Sequence, residues 1–206
     1  MKQRVVELIG SFFLTLTVGL AVIPDKLGSF TALAIGGVLA IMIYIGGHVS
    51  GGHYNPAVSL GVFFRRKLKT TDLVSYIISQ ALGASLGALL ALYLLNSVTL
   101  IPSEVDLPRA IICELVFTFA LVLTVLSVAT AKGTAGNSFY GAAIGGIVMV
   151  GALTVGGISG AVFNPAVALG AAIMGLLSWA NFFFYIIAQC AAAFVAAVVF
   201  RMTNAE

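Results

Sequence analysis

The sequence predicts an all-α membrane protein with six transmembrane helices and two re-entrant half-helices, built as an inverted repeat. Three observations carry this expectation. Hydrophobic residues make up 61% of the chain and charged residues 8%, with a mean hydropathy of +1.14, whereas a soluble domain has about a quarter of its residues charged. The tripeptide Asn-Pro-Ala occurs twice, at Asn55-Pro56-Ala57 and Asn164-Pro165-Ala166, 109 positions apart. Around these copies lie apolar stretches of about the 20 residues that a helix needs to cross a hydrocarbon core.

Taken in order, the spans are expected at residues 4–23, 30–47, 72–96, 109–131, 139–157 and 179–201. The first opens with basic residues before an apolar run, as a signal peptide would. Glu7 inside the run, and the echo of this segment in the fourth span, argue that it is retained. Two shorter apolar pieces, 55–64 and 164–175, begin at the Asn-Pro-Ala copies. Asn is a favoured helix cap and Pro is tolerated in the first turn, so each copy reads as a loop becoming a helix. A helix of about 10 residues reaches roughly 15 Å, half the core. Each piece therefore enters from one side and stops near the middle.

The repeat extends beyond these motifs. Ser50-Gly51-Gly52-His53-Tyr54 answers to Ser159-Gly160-Ala161-Val162-Phe163, and Tyr76-Ile77-Ile78-Ser79-Gln80 to Tyr185-Ile186-Ile187-Ala188-Gln189, all at the same offset. Glu7 answers to Glu114 two residues out of that register. We read 1–206 as one channel domain with repeats at about 1–96 and 109–206. Three spans per repeat is an odd number, so the second copy inserts upside down, which places a site near the midplane.

Charge sets the orientation. With the N-terminus inside, Lys2, Arg4, Arg65, Arg66, Lys67, Lys69, Lys132 and Arg201 are inside, and only Lys26 and Arg109 are outside. This bias places both termini in the cytoplasm. It also accounts for the basic cluster at 65–69, so the net charge of +3 implies no nucleic-acid partner. The two cysteines, Cys113 and Cys190, fall inside spans and provide no disulfide framework. No metal site, cofactor or nucleophile–base set is visible, which argues against an enzyme.

Small residues are expected to carry the packing. Gly83 with Gly87, and Gly141 with Gly145, have the spacing that lets helices approach closely in lipid. Trp179 reads as an interfacial anchor.

The paired Asn-Pro-Ala motifs, the Ser-Gly-Gly-His-Tyr approach to the first, and a Glu near the start of spans one and four resemble the aquaporin (major intrinsic protein) family. The resemblance runs from about Glu7 to Val199. It implies half-helices that meet at the centre of a pore, and a homotetramer with four separate pores in the lipid bilayer of a cell (plasma or inner) membrane. Asn55 and Asn164 each offer an amide donor that cannot lose its proton. Side by side, they would orient the oxygen of a passing solute while the helix N-termini oppose cations. Capping alone is the plainer reading of each Asn.

Buried acids are costly in a membrane, so Glu7 and Glu114 are functional candidates. The resemblance implies that each supports one re-entrant loop; the alternative has each reaching toward the interface. His48 and His53 flank the first loop and read as loop hydrogen-bonding groups, with a pH gate as the alternative.

The chain departs from the family at its filter. Where most members follow the second motif with Arg, Val167 stands here, and Ala168 stands where glycerol-conducting members usually place Asp. By spacing, the remaining constriction positions fall on Ile35, Ala152 and Ala161, with Gly151 or Thr154 as alternatives to Ala152 if the helix is offset. Phe30 or Phe163 swinging inward would narrow this ring. An uncharged ring favours a passive channel for water and small uncharged solutes such as polyols, urea or neutral metalloid acids. It would be less selective than a standard water channel. The alternative is a gated ion or anion channel on the same fold. A closed-pore assembly protein and an ion-coupled transporter are less favoured readings, the latter because no midplane acid chain is visible.

Overall fold

The computed structural model describes residues 1–96, 100, 102 and 104–204. Among them are eight α-helices: α1 (Lys2–Val22), α2 (Phe30–Ser50), α3 (Pro56–Phe64), α4 (Thr70–Leu94), α5 (Leu107–Ala129), α6 (Tyr140–Ser159), α7 (Pro165–Ile173) and α8 (Trp179–Thr203). A short 3-10 turn covers Lys132–Thr134. The loop between α4 and α5 falls partly outside the described residues, including Ser97 and Ser103 of the expected outer segment.

Six of the helices are long and apolar enough to cross a membrane, and they match the six expected spans. Their faces are reversed relative to a soluble helix. On α1, Glu7, Ser11, Leu14, Thr15 and Val18 recur at helical spacing and are buried. Val5, Ile9, Phe13 and Leu20 of the same helix are exposed, as lipid contact requires. The expected ends at 47 and 157 are overrun: α2 and α6 continue to Ser50 and Ser159. Each stops where a glycine takes a left-handed φ, +92° at Gly51 and +81° at Gly160, the usual helix-ending device.

The half-helices α3 and α7 are nine residues each, so each rises only about 14 Å. Both begin as expected, with Asn55 and Asn164 as caps. Asn55 Oδ1 accepts from Ala57 N at 2.8 Å, and Asn164 Oδ1 from Ala166 N at 2.9 Å.

The helices associate in matched pairs. α1 lies along α4 as α5 lies along α8, and α2 crosses α6 between the halves. Each half-helix packs on the last span of the opposite half, α3 on α8 and α7 on α4. The two halves are thus interlocked rather than merely apposed. Small residues allow the close crossings. A methyl group on Gly83 would overlap Leu8 O, and one on Gly145 would overlap Gly36 O. The corresponding contact of α8 uses Ala192 and Ala196, both fully buried.

Candidate functional site

The site begins where two helices stop inside the bundle, and each loop must pair its backbone donors without water. After Gly51 the chain takes left-handed conformations at Gly52 (φ +62°) and Tyr54 (φ +48°). After Gly160 it repeats them at Ala161 (φ +52°) and Phe163 (φ +48°). For non-glycine residues this conformation costs about 1–2 kcal/mol each, so other contacts must hold it.

Glu7 supplies those contacts in the first loop. Its Oε1 accepts from Ser50 Oγ (2.6 Å) and His53 N (3.0 Å). Its Oε2 accepts from Tyr54 N (2.7 Å) and Gln80 Nε2 (2.8 Å). Glu114 repeats the pattern. Its Oε1 accepts from Ser159 Oγ (2.8 Å) and Val162 N (2.9 Å), and its Oε2 from Phe163 N (2.7 Å) and Gln189 Nε2 (2.8 Å). Both acids are completely buried, so the alternative of reaching the interface does not apply. The preceding donors are also paired: Gly52 N donates to Ser50 Oγ and Ala161 N to Ser159 Oγ. Tyr76 Oη and Tyr185 Oη donate to Ser50 O and Ser159 O, fixing the ends of α2 and α6.

The aromatic residue of each loop is anchored beside the acid. Tyr54 lies against Gly10 and Gly46, and its hydroxyl donates to Met42 O at 2.9 Å. Phe163 stacks on Phe117 with ring centroids 5.4 Å apart and lies against Gly151.

The two loops then clasp each other. Asn55 Nδ2 donates to Phe163 O at 2.9 Å, and Asn164 Nδ2 donates to Tyr54 O at 2.9 Å. Each amide therefore caps its own half-helix, holds the opposite loop, and keeps one of its two N–H groups. Both asparagines line a cavity of 360 Å³. Its walls are otherwise mostly apolar, with Leu14, Val18, Leu121 and Val148 among them. Among the described residues no Lys or Arg lines it, Glu104 is its one acidic lining residue, and neither Glu7 nor Glu114 lines it.

Ile35, Ala152, Ala161 and Val167 all line this cavity. Gly151 is buried against Phe163, Thr154 is exposed with its hydroxyl bonded to Val150 O, and neither lines the cavity as Ala152 does. Phe163 is held in the core, Phe30 is exposed, and neither lines this cavity. Ala168 is fully buried in packing. A second cavity of 480 Å³ lies beyond His53, among Gln3, Lys67, Lys69 and Asp72. Neither Cys113 nor Cys190 lines either cavity.

His48 does not support the loop as expected. It is exposed in the last turn of α2, ahead of the Gly51 turn that redirects the chain, and makes no hydrogen bond among the described residues. His53 does support it: its Nδ1 is 3.0 Å from Ser59 Oγ, and its ring meets Tyr76 edge to face. Gln80, Gln189, Tyr76 and Tyr185 belong to the site without having been singled out for it. Their signal was a polar pair repeated inside two apolar spans at the same offset.

Comparison with known proteins agrees with this architecture. The sequence model for the major intrinsic protein family matches residues 1–154 and 136–206. Aquaporin-4 of Mus musculus is 35% identical over 179 residues, 82% of this chain and 54% of that protein. Aquaporin NIP1-4 of Oryza sativa subsp. japonica is 32% identical over 185 residues, 85% of this chain and 67% of that protein. Nodulin-26 of Glycine max is 31% identical over 185 residues, 84% of this chain and 68% of that protein. The chain thus spans from about half to two thirds of the length of these relatives. In structure it resembles the aquaglyceroporin of Plasmodium falciparum, with a TM-score of 0.81 at 21% identity, covering 97% of this chain and 94% of the other. At that identity the likeness establishes the fold.

Glu7→Gln places an amide NH₂ where one carboxylate oxygen now accepts two donors. Breaking such a buried charged network should cost about 3 kcal/mol, read as a lower thermal midpoint of the purified protein in detergent. An unchanged midpoint would mean that the carboxylate does not hold the loop.

Proposed function

The chain belongs to the major intrinsic protein family, and on that premise we propose that it is a passive channel for water and small uncharged solutes, including polyols, urea or neutral metalloid acids. One observation carries the reading: the clasped Asn55 and Asn164 present fixed donors in a cavity that, among the described residues, no Lys or Arg lines. The name aquaporin borne by relatives points to water.

Passage follows from the donor geometry. An oxygen held by the free N–H groups of both asparagines has its own hydrogens directed away along the file, which interrupts proton hopping. The N-termini of α3 and α7 each add about half a positive charge at the same level, opposing cations. The outer ring of Ile35, Ala152, Ala161 and Val167 adds neither charge nor side-chain hydrogen-bonding group. Exclusion of larger neutral solutes is correspondingly weak there, so the filter is less selective than one containing Arg. The protein is a channel and not an enzyme.

The channel sits in the cell membrane as a homotetramer, with both termini and residues 65–72 on the cytoplasmic side and the loop after α4 outside. The reading is supported by the basic residues concentrated at one side of the spans.

For orientation, Lys69→Cys in intact cells should escape membrane-impermeant thiol reagents and react only after permeabilisation; labelling from outside would reverse the topology. For function, stopped-flow light scattering on proteoliposomes should show both osmotic water flow and uptake of glycerol and urea. Purified protein of tetrameric mass is the starting material. Val167→Arg adds a permanently charged group with five donors and should reduce glycerol uptake by a larger factor than water flow. If the solute-to-water ratio of Val167→Arg equals that of the parent, Val167 is not in the filter.

A further inference from the structure

The two cavities share two lining residues, His53 of the first loop and Val125 of α5. The 360 Å³ space is lined by all four residues of the outer ring and by both asparagines as well as by this pair. The 480 Å³ space is lined by the same pair together with Gln3, Lys67 and Lys69. We propose that this inner neck between His53 and Val125 sets the size limit for solutes in this chain, in place of the outer ring. The inference rests on the channel reading above and assigns its selectivity step to a different position.

The outer ring offers little to restrict a solute. Two of its four residues are alanines, and all four share one cavity with both asparagines. The neck has fixed walls. Val125 is 5% exposed on a helix clamped between α6 and α8. His53 is 8% exposed, with its ring edge to face on Tyr76 at 5.3 Å and Nδ1 3.0 Å from Ser59 Oγ. Ser59 Oγ in turn accepts from Gln80 Nε2 at 3.0 Å and lies 3.1 Å from Asn55 O.

This network also assigns the imidazole's role. All three contacts of Ser59 are satisfied together when its hydroxyl donates to Asn55 O and it accepts from both Gln80 and His53 Nδ1. On the neutral ring that tautomer leaves Nε2 as an acceptor, an assignment made from the hydrogen-bond network. A solute thus meets donors at Asn55 and Asn164 and then an acceptor at the neck, a sequence that suits molecules carrying both, such as polyols and urea.

The broken repeat supports the same position. At the offset of 109, His53 corresponds to Val162 and Ser59 to Ala168. The hydrogen-bonded neck therefore exists in one half only, although the supporting Glu, Ser, Tyr and Gln residues are kept in both.

The test uses proteoliposomes of the purified full chain, with water flow and uptake of urea, glycerol and a four-carbon polyol measured on the same vesicles. Val125→Ala should raise the four-carbon polyol-to-water ratio several-fold. Val125→Phe should lower the glycerol-to-water ratio several-fold. Each shift should exceed that of the matching substitution at Ile35. In the Val167→Arg protein the narrowest point moves outward, so Val125→Ala should lose its effect. If the Ile35 variants move the ratios while Val125→Ala leaves them at the parent value, the neck is overturned and the channel reading stands. A parent protein that passes neither water nor solute overturns both.

Discussion

A chain that stops being helical inside a membrane exposes backbone N–H groups to a medium without water, and each unpaired group costs several kcal/mol. Glu7 and Glu114 solve this problem twice with the same geometry. Each carboxylate takes two backbone N–H groups from a loop, one hydroxyl from the helix before it, and one side-chain amide from the last span of its own half. The acid is itself expensive to bury, and four donors per carboxylate, some of them strong charge-assisted bonds, offset that cost. The same contacts hold Tyr54 and Phe163 in left-handed backbone conformations.

The central passage follows from that support. Because the loops are fixed, Tyr54 O and Phe163 O stand where the opposite asparagine can reach them. The clasp joins the two halves at the level where α3 and α7 begin, so a donor pair and two positive helix ends coincide. Small residues act on the same geometry from outside. Contacts of α4 on α1 through Gly83, and of α6 on α2 through Gly145, bring the spans close enough for the acids to meet the loops. Packing, loop support and pore chemistry are thus one arrangement.

Much of this was legible in the sequence, because duplication turns weak local signals into strong ones. The spans were visible from hydropathy, the half-helices from Asn-Pro at their starts, and the acids from their rarity in apolar runs. Span ends were less legible: α2 and α6 run past their expected limits because the stop depends on the backbone conformation at Gly51 and Gly160. His48 and His53 have the same residue type near the same loop, yet one is exposed and the other bonded to Ser59. That distinction depends on which way the chain turns after Ser50. Gln80 and Gln189 were visible as an echo, but their role needs the distance to an acid 73 or 75 positions away. That His53 and Val125 line both cavities is less legible still, since it depends on how α5 sits against the other half.

The central claim is that fixed donors and converging helix N-termini let neutral molecules through and stop charge. It is tested most directly by measuring proton leak and osmotic water flow in the same proteoliposomes under an imposed pH gradient. The account predicts rapid water flow with a proton leak no greater than that of protein-free vesicles. A proton flux that rises with the amount of protein, alongside water flow, would contradict it.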